Sequence, residues 1–345
     1  SLVGSEMCIR DRCVTDKEDY MSDTKYAYAV ARIRAMELSL FSSSTLDQLM
    51  ALKTYESCLQ FLTEKGWGDQ DTGMDAEAIL TREKEKTWNV VRDLLKKEDA
   101  GIINVLSYEN LFHNLKAAIK ETVTSDHHGN IYFDNCAIGG KEMARIVAER
   151  DWQALPANMR AAAEEAYETF LHTRDGQLCD IIVDRAALEA IYAEGEKAAD
   201  PVIRAYAEST VAVADIKIAV RSQKTAKSLE FIKRAMAPCA SLSVERLSSA
   251  ALSGMDAICE YLEGTAYAGG AEALRESPSA FERWCDNQLM EAIKPQKYNP
   301  FSAGPLVAYV LARENEIKTV RIILTARLNE LPEEQIRERI REMYV

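Results

Sequence analysis

This sequence predicts an all-α fold, and three observations carry that reading. Glycine and proline number only 15 and 8 in 345 residues, and Ala, Glu, Leu and Arg dominate while alternating β-branched runs are scarce. Such a composition favours helix almost throughout. Apolar residues make up 47% of the chain and recur at helical spacing in one segment after another, enough for a large core or several small ones. The joints, at 66–73, 125–130, 136–141, 174–177, 267–272 and 297–305, carry Gly, Pro, Ser and Asn, as turns should.

In chain order, amphipathic patterns predict helices over 26–41, 54–67, 75–97, 108–123, 140–155 and 158–171. They continue over 186–199, 201–223, 253–267, 279–293 and 304–328. One segment, DHHGNIYFDN at 126–135, has extended character. The chain closes on NELPEEQIRERIREMYV. Pro332 suits a first helical position, Glu333 and Glu334 suit the positive helix start, and Arg337, Arg339 and Arg341 suit its negative end. With Ile336, Ile340, Met343 and Tyr344 on one face, this reads as a terminated helix that must dock on something. The opening SLVGSEMCIRDR has neither helical periodicity nor a cap and resembles a translated sequencing adapter. Residues 1–20 are therefore expected to be a non-native leader, with Met21 as the natural start and Ser22 or Asp23 as the first N-cap.

Four segments share a core: ARIRAM around Ile33 and Arg34, HNLKAA around Leu115 and Lys116, ADIKIA around Ile216 and Lys217, NEIKTV around Ile317 and Lys318. The last three are spaced 101 residues apart. Each is followed by a further helical pattern, TYESCLQFL, KEMARIVAE, MDAICEYL and finally PEEQIRERI, where the fourth copy stops. A multi-helix repeat is the expectation, with the closing helix capping the apolar face at which another copy would begin.

Several function classes are excluded. A formal charge of −13 argues against nucleic acid or anionic lipid as the main partner, since both call for clustered cations. Residues 1–20 hold five acids and three bases, so the acidic balance survives their removal. The apolar run STVAVADIKIAV is interrupted by Asp215 and Lys217 well before the roughly 20 residues that a membrane helix needs. The eight cysteines stand singly, with no C-x-x-C, as small buried hydrophobes of a reducing compartment do, and no secretory signal is visible.

Catalytic chemistry is missing as well. His113 and His172 follow Glu109 and Glu168 by four residues, the spacing of a helical ion pair rather than a metal site. His127 and His128 fall in a turn. GGKE at 139–142 lacks the G-x-x-x-x-G-K-S/T phosphate cradle, and neither G-x-S-x-G nor H-E-x-x-H occurs. Trp67, Trp88, Trp152 and Trp284 read as core. No catalytic, metal or cofactor residue is nominated.

Both ends of the chain carry a family signature. NPFSAGPLVAYVLARENEIKTVRIILTARLNELPEEQIRERIREMYV resembles the C-terminal region of the C subunit of the prokaryotic V-type (A-type) ATPase/ATP synthase, the relative of the d subunit of eukaryotic V-ATPase. YAYAVARIRAMELSLFSSSTLDQLMALKTYESCLQFLTEKGWG resembles that family's first helices. The resemblance implies three similar helical domains, here 21–125, 126–235 and 236–345, in a pseudo-threefold funnel around a central cavity. It further implies a non-catalytic rotor subunit without cofactors, cytoplasmic and peripheral on the inner face of the membrane. Its partners would be the central-stalk shaft and the membrane proteolipid ring, with no nucleic acid and no direct nucleotide binding.

Arg34, Lys116, Lys217 and Lys318 are the one nomination for a quasi-symmetric partner interface. Internal salt bridges to neighbouring helices are the competing reading of these four. The competing readings of the chain are a helical-repeat adaptor unrelated to rotary motors and a helical hydrolase with converging carboxylates.

Overall fold

A computed structural model describes residues 25–95, 99–126, 131–133 and 136–345. The expected leader, Ser22, Asp23, His127 and His128 lie outside the described residues. Among those described there is no strand, and sixteen α-helices follow one another. The first eight are α1 Ala27–Glu37, α2 Ser43–Ala51, α3 Tyr55–Glu64, α4 Ala76–Leu94, α5 Ala100–Thr124, α6 Gly140–Glu149, α7 Ala157–Thr173 and α8 Gly176–Lys197. The rest are α9 Pro201–Lys224, α10 Leu229–Ala235, α11 Val244–Ser253, α12 Met255–Glu263, α13 Ala268–Glu276, α14 Pro278–Ile293, α15 Gly304–Leu328 and α16 Glu333–Arg337.

Helix starts are set locally. The side chains of Ser42, Thr54, Asp75, Asp175, Asp200, Ser228 and Ser243 each accept a hydrogen bond from a backbone N–H in the first turn that follows. Those N–H groups have no partner within the helix, which is why short-chain oxygen residues prefer these positions. Four short helices missed by the periodicity reading, α2, α10, α11 and α13, span only 9, 7, 10 and 9 residues. Length alone does not account for this, since α3, α6 and α12 are as short and their patterns are legible; the Ser N-caps of the first three were the available signal.

Backbone contacts divide the chain into two compact units, Ser1–Lys96 with Asp286–Val345, and Lys97–Cys285. The first unit is organised on α15, whose residues Gly304–Arg313 are all buried because GPLVAYVLA is apolar on every face. It packs on α1, α3 and α4. Leu46, Leu49, Met50, Leu59, Leu62, Trp67, Ile79 and Leu80 meet Ile317, Val320, Ile323 and Leu324 in one core, to which Ile336 and Met343 also belong. N- and C-terminal parts of the sequence thus share one core.

The end of the chain docks as expected but with a different conformation. α16 covers only Glu333–Arg337, and Pro332 is its N-cap, with ψ of 149°, rather than its first helical residue. Met343 and Tyr344 are buried on non-helical backbone. Tertiary hydrogen bonds replace the helical ones there. Asn315 donates to the Glu342 carbonyl at 2.9 Å, the Glu342 N–H donates to Asn287 at 2.9 Å, and Arg341 pairs with Asp286 at 2.9 Å. Arg341 therefore serves an ion pair and does not complement a helix end.

In the second unit α5 packs on α6, α7 and α8, α8 on α7 and α9, and α9 on α10, α11 and α12. The three residues between α8 and α9 make them antiparallel neighbours. Gly195 of α8 lies against Ala207 of α9, and a Cβ there would collide with the Ala207 methyl. The outer helices α11–α13 close a core around Ile216, Ile232, Leu247, Ile258, Leu262 and Phe281.

Candidate functional site

The repeated hydrophobic positions behave as equivalents. Ile33, Leu115, Ile216 and Ile317 are all buried. The last three lie on helices of 25, 24 and 25 residues, by far longer than α1, which carries the first.

The four basic residues that follow them divide differently. Lys116 on α5 pairs with Asp184 on α8 at 2.7 Å, and Lys318 on α15 pairs with Asp286 at 2.5 Å, sharing that carboxylate with Arg341. Arg34 pairs with Glu37 at 2.8 Å and donates to the backbone carbonyls of Gln296 at 2.5 Å and Asn299 at 3.2 Å. Lys217 is half-buried and makes no hydrogen bond or ion pair among the described residues. Three of the four are thus structural ties, and each is satisfied inside its own unit.

Arg34 has one further consequence. By holding the turn at Gln296–Asn299 it places Tyr298 and Phe301, 88% and 55% exposed, beside a shallow groove of about 310 Å³. Ala27, Val30 and Ala31 of α1 form the opposite wall.

The first unit also buries charge. Arg313 of α15 lies between Glu83 of α4 and Glu316, donating to Glu316 at 2.7 Å, and its guanidinium stacks 4.6 Å from the Trp67 ring centroid. Glu83 accepts from the Gly68 N–H at 3.0 Å and from Lys86 at 2.7 Å, and the other Glu316 oxygen accepts from the Phe41 N–H. Every carboxylate oxygen thus has a donor, as a buried charge demands. Sequence reading did not nominate this cluster, because Arg313 and Glu83 are far apart in the chain and each sits on an ordinary helical pattern.

His172 pairs with Glu168 at 3.2 Å, whereas His113 hydrogen-bonds the Ile131 carbonyl at 2.9 Å and stacks edge-on against Phe133. Trp67 and Trp88 are buried, and Trp152 and Trp284 are half-buried. Six described cysteines are free thiols, three of them buried. Among the described residues no three His, Cys, Asp or Glu converge as a metal site, and no helix is long and apolar enough to cross a membrane.

Comparison with known proteins places this architecture. Residues 29–339 match the model of the family described as ATP synthase (C/AC39) subunit. The C subunit of the V-type sodium ATPase of Enterococcus hirae is 22% identical over 322 residues, covering 90% of this chain and 97% of its own. The C subunit of the A-type ATP synthase of Methanocaldococcus jannaschii is 21% identical over 341 residues, covering 90% and 85%. The C subunit of the V-type ATP synthase of Thermus thermophilus is 23% identical over 331 residues, covering 91% and 98%.

Proposed function

We propose, from the premise that the chain belongs to the ATP synthase (C/AC39) subunit family, that it is the socket of a V/A-type rotary ATPase. It seats the central-stalk shaft and rests on the membrane proteolipid ring, on the cytoplasmic face. The protein is non-catalytic: ion movement belongs to the ring, ATP chemistry to the catalytic head, and this chain passes rotation between them. Its three similar domains, one for each of the long helices α5, α9 and α15, form a funnel around a central cavity.

The observation that carries this reading is a family match running from α1 to the closing segment. A torque-bearing part has to be stiff, and long helices crossed by internal ion pairs such as Lys116–Asp184 and Arg313–Glu83 suit that role. Arg34, Lys116, Lys217 and Lys318 remain the proposed quasi-equivalent contact positions. Lys217 is the first to substitute, since it has no ion pair to lose.

Co-expression of the chain with the central-stalk proteins of the same source, followed by native mass spectrometry, tests the proposal. A one-to-one-to-one complex is expected, weakened by Lys217→Glu. Failure to bind a stalk pair shown to be intact sinks the socket role, and affinity for extended peptides instead would favour the adaptor.

A further inference from the structure

We propose that Asn114, Asp215 and Glu316 are one anchoring position used three times, and that Asp215 makes its copy a proton switch that loosens residues 237–241 when the carboxyl ionises. Each of the three stands one residue before the repeated Leu115, Ile216 or Ile317 and is at most 2% exposed. Each reaches from a long helix to the backbone of the segment that leads into a short helix. Asn114 accepts from the Phe133 N–H at 2.8 Å, ahead of α6; Asp215 accepts from the Ala237 N–H at 3.1 Å, ahead of α11. Glu316 accepts from the Phe41 N–H at 2.8 Å, ahead of α2. In this last copy the anchored segment comes from the other end of the chain.

The three anchors differ in what meets the rest of the side chain. Asn114 is neutral and donates to the carbonyls of Phe133 at 2.8 Å and Ile138 at 3.2 Å. Glu316 gives its second oxygen to Arg313. The second oxygen of Asp215 is buried with no hydrogen-bond partner among the described residues.

The groups facing Asp215 do little for a negative charge. From α8, Arg185 is engaged with Glu189 at 2.7 Å and partly in solvent. From the segment itself come the Ala237 N–H and the Cys239 thiol, itself pushed up by burial, with Glu208 and Asp215 adding to that rise. Two turns earlier on α9, Glu208 holds the same segment through the N–H groups of Ala240 at 3.2 Å and Ser241 at 2.8 Å. Burial accordingly pushes the Asp215 carboxyl up to about 7, against the smaller downward pulls of Ala237 and Arg185. A neutral acid can stay in this site, whereas a carboxylate with one hydrogen bond calls for water, and the 237–241 backbone is what must move to admit it.

The folded pKa lies above the unfolded one, near 4, so the folded chain holds the extra proton. The stability it confers is complete below about pH 4 and is lost as pH rises to about 7. The test is hydrogen exchange on the full chain at pH 5.5, 7 and 8.5, corrected for intrinsic rates. Protection of 237–241 should fall about tenfold across this range while that of the Phe133 N–H, held by Asn114, stays level. Asp215→Asn, the residue already present in the α5 copy, should flatten the profile and raise the Tm at pH 8 by about 5 °C with little change near pH 4. Equal wild-type protection at all three pH values, or an unchanged pH dependence in D215N, overturns the switch. Should D215N fail to fold, the wild-type contrast between the two segments decides by itself.

Discussion

Glu316 and Asp215 occupy matching positions on α15 and α9, equally buried, and each holds a backbone N–H of a neighbouring segment. One is flanked by Arg313 and Glu83; the other has no cation within hydrogen-bonding reach among the described residues. The helices α15 and α9 therefore solve the same packing problem at different electrostatic cost. A repeat preserves the shape of an interaction, but the charge state it can carry depends on residues from elsewhere in the chain.

The largest expected effect attacks that difference directly. Arg313→Met leaves Glu83 and Glu316 buried with no guanidinium between them, and urea unfolding should show a loss of about 3–5 kcal/mol at neutral pH. A loss below about 1 kcal/mol would mean that water compensates the carboxylates and that the two helices do not differ in the way described. Next comes the import of the α9 chemistry into α5. Asn114→Asp sets a carboxylate against the carbonyls of Phe133 and Ile138, and it should cost about 2–4 kcal/mol above neutral pH, with recovery on acidification as the acid regains its proton. A cost independent of pH would show that Asn114 matters by shape alone.

Ile336→Ala removes a fully buried side chain from the core shared by α2, α3 and α15, and a loss of about 2–4 kcal/mol is expected in the same assay. An unchanged midpoint would show that the docked end contributes nothing to the first unit. The smallest effects belong to the exposed ties. Lys116→Ala and Lys318→Ala should each shift stability by less than about 1 kcal/mol, shrinking further in high salt. Values as large as that for Arg313 would erase the distinction between buried and surface pairing.

Much of this is legible in the sequence. The all-helical class follows from composition, three of the four repeat cores from their 101-residue spacing and the first from its local match, and internal salt bridges are the competing reading of all four basic residues, which holds for Arg34, Lys116 and Lys318. The anchors are visible too, since Asn, Asp and Glu stand just before Leu-Lys, Ile-Lys and Ile-Lys in HNLK, ADIK and NEIK, but nothing local marks a polar residue on a helix as buried. The closing segment misleads because Glu and Arg placed for a helix dipole look the same when one Arg is instead committed to Asp286.

Helix class, repeat period and the identity of the buried apolar positions arise from short-range backbone preferences and hydrophobic spacing, which a linear chain displays in full. Which carboxylate meets a cation, which stays alone, and where the last helix stops are matters of contact between residues as distant as Phe41 and Glu316. Charge and hydrogen-bond energies depend on the neighbours and on exclusion of water, and both come into being only when the chain has packed.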